Sequence, residues 1–342
     1  MKRRTLLRAS LGLGVGALAG TAWLGRPGSN ARTSEGLPSE LSSYQRTGRV
    51  FGTHVTLRVL HGEPSVANAA LDEAFARMVA VDSLMSVVRD DSQVMVLNRA
   101  GRLASPAPQV VEVLTVAQEL SRQTQGAFDV TVQPLWQIYA EAQRRGGLPS
   151  PEEIATAKSL VGWQRLDASP DRVLLKDAGM GITLNGLAQG YGADVAVAAL
   201  REHGIHHALL DTGEFGAMGS KGTDAPWVLG IRDPRNTDAV LARVPMDGRF
   251  LSTSGDYETT FTPDFVHHHI FDPARGDSPV ELASVTVLAP SGILADGLST
   301  AFMVLGPERT LALAPRFERV DALLVAKNGA RWQTTGFPTL PV

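Results

Sequence analysis

The order of hydrophobic periodicities along the chain narrows its fold more than any other feature. Apolar residues recur at helical spacing over Pro64–Met85, about Pro108–Gln123, Pro134–Arg144 and Pro151–Gly162, the last opening with a proline and two glutamates suited to a first helical turn. Before them, alternation over Thr53–Leu60 predicts a half-buried strand. Beyond Arg172 the pattern shortens to strand-like runs: RVLLKD, GITLN, HHALLDTG, PWVLGIRD, VLARVPMD, FLSTSGDYET and ASVTVLAP. Helical stretches at Gly186–Gly204 and Ser291–Gly306 interrupt them, the second with Ser291 as its expected cap. A helix at Pro307–Ala314 and a strand at Asp321–Ala326 close the chain. Helices mainly first and strands mainly later predict an α+β fold, not a regular parallel α/β alternation. At 342 residues, 44% hydrophobic, the chain can bury a sizeable core.

The start, MKRRTLLRASLGLGVGALAG, places a basic cluster ahead of a glycine-rich apolar run reaching about Trp23. Arg3-Arg4 followed by Leu6-Leu7 reads as a twin-arginine-type export signal over residues 1–30. A membrane anchor is the alternative, but the run is short of the ~20 apolar residues a span takes. The expectation is a protein exported folded and working in the periplasm; an uncleaved signal would leave it tethered. Residues 31–47 read as a polar Ser/Gly/Pro linker and 48–342 as the working domain. Cysteine is absent, which excludes disulfides, thiolate metal sites, a Cys nucleophile and an acylated lipobox. Residues 1–30 carry five Lys/Arg and no Asp/Glu, so their removal would leave 27 basic against 35 acidic residues, a charge of -8. That balance argues against nucleic acid or an anionic lipid surface as partner.

Several stretches could carry chemistry. In ADGLST, Asp296 and Thr300 lie four apart on a helix, so their oxygens project from one face as half of a hard-cation site. An Asp favoured by the helix dipole, with an incidental Thr, explains the spacing equally. NGLAQGYGAD (Asn185–Asp194) is a glycine-containing turn into a helix where backbone could approach phosphate, or simply let a helix pack closely on a strand. Phe128 and Asp129, in QGAFDVTVQPLW, offer an aromatic face and a carboxylate to a heteroaromatic ligand; plain core is the competing explanation for Phe128. LDTGEFGAMG and LSTSGDYE are glycine turns at strand ends, site loops or hairpin connections. In VHHHIFDPARG (Val266–Gly276) adjacent side chains of an extended run point to opposite faces, so at most His267 and His269 face together; this argues against a three-His metal cluster and for one acid–base or phosphate-binding histidine, or a solvated loop.

In their order, FGTHVTLRV, DSLMSVVRDDSQVMVLNRAG, GAFDVTVQPLW, NGLAQGYGAD, PWVLGIRDP, STSGDYE, HHIFDPARG and ADGLSTAFMVLG resemble the motif series of the ApbE family, the FAD:protein FMN transferases, over Phe51 to Gly306. The resemblance implies a T-fold-like α+β architecture with helices on mainly antiparallel sheets. It implies magnesium-dependent transfer of FMN from FAD to a threonine or serine hydroxyl of a partner flavoprotein, with release of AMP. It assigns the metal to the Ala188 carbonyl, Asp296 and Thr300, and FAD contacts to Phe51, Ala127, Phe128, Asp129, Tyr191, Asp194 and His269. Proton removal falls to His269, with Asp272 next.

The chain departs from the family pattern at four places. Gln189 stands where the family has a lysine, Gly213-Glu214-Phe215 replaces a Gly-Gly-Asp turn, Phe51 replaces a methionine, and Val88 replaces an aromatic. Gln189, the TGEF stretch and the export signal together resemble the branch that accompanies nitrous-oxide reductase, supplying flavin to its membrane-bound regulatory and electron-transfer flavoprotein. The missing lysine also motivates a second function, a non-catalytic FAD carrier; a third is a magnesium-dependent FAD pyrophosphatase, in which water replaces the protein hydroxyl.

Overall fold

The computed structural model describes residues 41–222 and 224–341; the expected export signal and residues 31–40 of the expected linker lie outside them. The described chain begins with a hairpin. Strands β1 (Ser42–Val50) and β2 (Thr53–His61) pair antiparallel around Phe51-Gly52, whose φ values of 54° and 75° give the doubly positive turn that matches strand twist. The linker expected to run to residue 47 therefore stops short of Ser42. β1 lies at a sheet edge with alternating residues exposed, so a polar composition coexists with a strand.

Three helices and a short strand follow: α1 (Pro64–Met85), α2 (Gln93–Ala100), β3 (Arg102–Ala104) and α3 (Pro108–Gln123). Next come α4 (Gln133–Arg144), α5 (Pro151–Ser159), β4 (Leu166–Ala168), β5 (Arg172–Leu175) and α6 (Ala188–Glu202). Ser150 caps α5 through a reciprocal box with Glu153, the first-turn chemistry expected there. The second half adds β6 (His207–Asp211), β7 (Phe215–Met218), β8 (Val228–Asp233), β9 (Asn236–Pro245), β10 (Phe250–Gly255) and β11 (Leu282–Ala289). It ends with α7 (Gly292–Leu313), β12 (Asp321–Ala326) and β13 (Arg331–Gln333).

One antiparallel sheet, ordered β1-β2-β6-β7-β10-β11-β12-β13, organises the molecule. Helices α1, α6 and α7 cover one face, burying Leu57, Met78, Leu200, Val287 and Phe302. The β8–β9 hairpin covers the other, burying Phe215, Leu229, Val244, Leu251 and Leu288. Covered on both sides, β11 is buried at every position, and so its sequence reads as a continuous apolar run. The architecture is α+β, as expected.

Some local expectations differ. GITLN is not a strand: the Asn98 side chain of α2 takes the place of a strand partner, accepting from the Ile182 N–H (2.7 Å) and donating to its carbonyl (2.8 Å). The two C-terminal helices are as expected: α7 is two helices meeting at a kink at Gly306, with φ 74°, just before Pro307. Strand FLSTSG ends at Gly255, before the expected Thr259. A separate cluster ties down the chain after β10. Tyr139 of α4 stacks against Phe261 (5.3 Å between centroids) and Phe271 (5.0 Å), clamping the segment that carries the three histidines.

Candidate active site

The site is built where α6 crosses α7. A Cβ on Gly190 would lie 2.2 Å from the Gly292 carbonyl oxygen, and one on Gly292 would lie 2.3 Å from that of Gly190, so only glycine permits this approach. Across the contact the Gly190 N–H donates to Asp296 Oδ2 (3.1 Å), while Asp194 accepts from the N–H groups of Gly292 (2.7 Å) and Ile293 (2.9 Å). The helix expected to open on a Ser291 cap is thus capped from α6; the Ser291 side chain makes no capping bond. Asp194, expected at the flavin, spends both oxygens on α7. Burial raises its carboxyl to about 6 despite those two bonds.

Asp296 and Thr300 share a face of α7, as their spacing requires. Thr300 Oγ1 lies 3.2 Å from Ser254 Oγ on β10, and a Cβ on Gly186 would come within 3.2 Å of it. The turn leading to Ala188 therefore passes directly beside Thr300. Ser254 and Ser252, two apart on β10 and so on one face, both meet Ser299 Oγ (2.8 and 3.1 Å), and Ser299 donates to the Asp296 carbonyl (2.8 Å). The result is an oxygen-rich pocket of carboxylate, hydroxyl and backbone carbonyl groups, the donor set of a hard divalent cation. No three His, Cys, Asp or Glu side chains converge on a cation position among the described residues, so a metal here would rely on Thr300 and Ala188 as well as carboxylate.

Two side chains of this region were not assigned a role from the sequence. Glu214, in the turn between β6 and β7, is buried; it accepts bonds from the Ser252 hydroxyl and the Thr253 N–H, yet its Oε2 has no partner. Gln189, also buried, leaves Nε2 unpartnered. Burial and, for Glu214, the neighbouring Asp296 charge hold both Glu214 and Asp296 well above the usual carboxylate range. The serine pair was legible in the alternation of LSTSG; nothing local in TGEF marks Glu214 as buried.

The histidine run separates as alternation dictates. His267 Nδ1 pairs with Asp277 (2.7 Å), His268 is buried with its backbone N–H donating to Ser278 Oγ (2.8 Å), and His269 Nδ1 faces the Thr259 carbonyl (3.3 Å). A carbonyl only accepts, so Nδ1 of His269 carries the proton and Nε2 is the basic nitrogen. Burial lowers the pKa of His269, with the Asp256 charge opposing, and lowers that of His268 to about 2. Asp256, one residue beyond β10, is fully buried between Arg235 (two bonds of 2.7 Å) and Lys327 (3.6 Å). His269 itself is held by Thr259, whose carbonyl also accepts the His269 backbone N–H (3.0 Å). Asp272 instead shapes the Asp-Pro turn, its Oδ1 accepting from the Ala274 (2.9 Å) and Arg275 (3.4 Å) N–H groups.

The residues expected at flavin are mostly committed to the fold. Asp129 accepts from Thr131 N (2.8 Å), Thr131 Oγ1 (2.6 Å) and Trp163 N (3.0 Å). Tyr191 donates to Glu112 (2.6 Å). Ala127 and Phe128 are buried, the Phe128 ring lying beside Gly186. Phe51, in the β1–β2 turn, lays its partly exposed ring against Gly192 of α6, where a Cβ would clash at 2.5 Å. The aromatic rings of Phe51 and Phe128 thus flank the helix start that carries Ala188, whereas the Asp129 carboxylate is bonded to Thr131 and Trp163.

Fold and site define an antiparallel α+β protein with an oxygen-lined site at a helix crossing. The ApbE family model matches residues 51–324, and the chain belongs to that family. The FAD:protein FMN transferase of Escherichia coli (strain K12) is 33% identical over 304 residues, covering 84% of this chain and 85% of that protein. The FAD:protein FMN transferase of Treponema pallidum (strain Nichols) is 32% identical over 312 residues, with the same two coverages, 84% and 85%. Among solved structures, the flavin transferase ApbE from Vibrio cholerae superposes with a TM-score of 0.75 at 25% identity, covering 88% of this chain and 100% of that one. The apo flavinyl transferase ApbE of Pseudomonas stutzeri gives 0.74 at 31% identity, covering 86% and 96%.

Proposed function

We propose that this chain is an FAD:protein FMN transferase, passing FMN from FAD to a threonine or serine hydroxyl of a partner flavoprotein and releasing AMP. The reading rests on one observation above the others: in a member of this family, Asp296 and Thr300 meet the Ala188 turn at the α6–α7 crossing. Magnesium held by Asp296, Thr300 and the Ala188 carbonyl would neutralise charge on the pyrophosphate oxygens. The acceptor oxygen forms a bond to the FMN-side phosphorus as the bond from that phosphorus to the bridging oxygen breaks, and AMP leaves with that oxygen. His269 Nε2 takes the hydroxyl proton, a role suited to an imidazole kept neutral by burial.

The reading extends to a periplasmic protein exported by the twin-arginine route, with the membrane-bound flavoprotein of nitrous-oxide reductase as acceptor. Its support is the Arg3-Arg4 signal together with Gln189 and the TGEF stretch. The test is to incubate the protein with FAD and magnesium, with and without that acceptor's flavin-binding domain, and to separate the nucleotides. The transferase releases AMP only with acceptor and without matching free FMN. Free FMN plus AMP in the absence of acceptor would identify a pyrophosphatase, and intact retained FAD a carrier; either result overturns the proposal.

A further inference from the structure

Acidic side chains buried elsewhere in this fold are answered by cations or by several hydrogen bonds. Asp256 sits between Arg235 and Lys327, and Asp129 accepts three bonds. Glu214 and Asp296 are the exception. The charges that act on Glu214 are those of Asp296 and Asp211, and the charge that acts on Asp296 is that of Asp194; all are negative. The neighbouring position where the family pattern places a lysine holds the neutral Gln189, itself with an unpartnered buried amide.

The two carboxylates belong to one connected pocket. Glu214 reaches Ser252, Ser252 meets Ser299 (3.1 Å), and Ser299 donates to the Asp296 carbonyl (2.8 Å) while touching Ser254, the neighbour of Thr300. Strand register explains the convergence: Phe215 pairs with Leu251, and continuing that antiparallel register sets Glu214 directly opposite Ser252, whose hydroxyl meets Ser299 of α7. Of the buried side-chain oxygens among the described residues, Glu214 Oε2 alone lacks a partner; Arg46 Nε and Gln189 Nε2 are the unpartnered nitrogens. Glu214 is 5% exposed and Asp296 4%. A buried carboxylate is paired, hydrogen-bonded or bound to a metal, and for these two the protein supplies no cation.

We propose that Glu214 is a further ligand of the divalent cation, so that in this chain two buried carboxylates, Glu214 and Asp296, hold the ion with Thr300 and the Ala188 carbonyl. The proposal rests on the metal reading given above and extends it to a residue that departs from the family turn. A second carboxylate makes the site more negative, and the loss of the lysine acts in the same direction; both strengthen the site's demand for a bound cation.

The test uses Mn2+ as probe and the FAD-free protein, with free Mn2+ measured by electron paramagnetic resonance. Glu214→Gln is nearly isosteric and retains an oxygen for Ser252 and Thr253. It is expected to weaken Mn2+ binding by about tenfold or more, as Asp296→Asn does. If Asp296→Asn weakens binding and Glu214→Gln leaves it within about twofold, Glu214 is a structural turn residue and the proposal falls alone. If neither variant changes binding, the metal assignment itself falls, and the proposal with it. Thermal melting of each variant without metal establishes that it folds. Should Glu214→Gln not fold, Glu214→Asp draws the carboxylate back by one methylene and must also weaken Mn2+ binding; wild-type affinity in that variant overturns the proposal.

Discussion

Asp194 Oδ1 accepts the backbone N–H of Gly292 at 2.7 Å, so a side chain of α6 supplies the cap of α7. The bond fixes the first turn of the helix that carries Asp296 and Thr300, and a carboxylate there also complements the helix dipole. Asp194→Ala is expected to cost about 1–2 kcal/mol, the range of lost helix caps. Asp194→Asn should cost less, because its amide oxygen can still accept. Urea unfolding measures both, and unchanged midpoints would contradict the capping role.

The helix crossing itself depends on two glycines. Gly190→Ala would push a methyl to 2.2 Å from a backbone carbonyl that cannot swing aside. The expected loss is at least about 1–3 kcal/mol, the usual cost of overpacking. Gly147→Ala meets nothing within 4 Å and should change stability by less than about 0.5 kcal/mol. Equal melting temperatures for the two variants would show that the crossing is more yielding than its geometry indicates.

The three histidines should fail in three different ways. His269→Ala should slow transfer by about 10²–10⁴-fold while leaving the fold intact, the scale of a lost general base. His268→Ala removes a fully buried ring and should chiefly lower the melting temperature. His267→Ala gives up a partly exposed pair with Asp277 and should change transfer least. Comparable losses of transfer in the His267 and His269 variants would mean that the loop, not one nitrogen, is what matters.

The pH dependence of stability follows from the buried acids. Burial raises Glu258 to about 7 and Asp194 and Asp211 to about 6, and holds Asp296 and Glu214 well above their usual range. Each binds its proton more tightly folded than unfolded, so its contribution is complete below about pH 4 and is lost as the pH rises through the folded value. Buried His268 works in the opposite direction, but only below about pH 6.5, where the unfolded imidazole takes up a proton. Between pH 8 and 6.5 the metal-free protein should therefore gain stability as pH falls, and magnesium at pH 8 should recover much of the loss. Melting in chelator that is flat, or that improves toward pH 8, would contradict this.

The framework of the site could be read from sequence because it depends on periodicity. A spacing of four on a helix put Asp296 beside Thr300, and a spacing of two in LSTSG put Ser252 and Ser254 on one face. Alternation likewise separated His268 from its neighbours. What escaped were long-range substitutions for local signals. Asn98 replaces a strand partner for GITLN, Asp194 replaces Ser291 as cap, and Glu214 is buried by the register of distant strands. The β1 strand escaped for a related reason: an edge strand with one open face needs few apolar residues, so its composition matched a linker.

The central claim is covalent transfer, and intact-mass spectrometry of the acceptor tests it most directly. After incubation with the protein, FAD and magnesium, the acceptor should gain the mass of one FMN less one water, and the gain should vanish when magnesium is chelated or Asp296 is replaced by Asn. An acceptor of unchanged mass, with FAD intact or split to free FMN and AMP, would contradict the account.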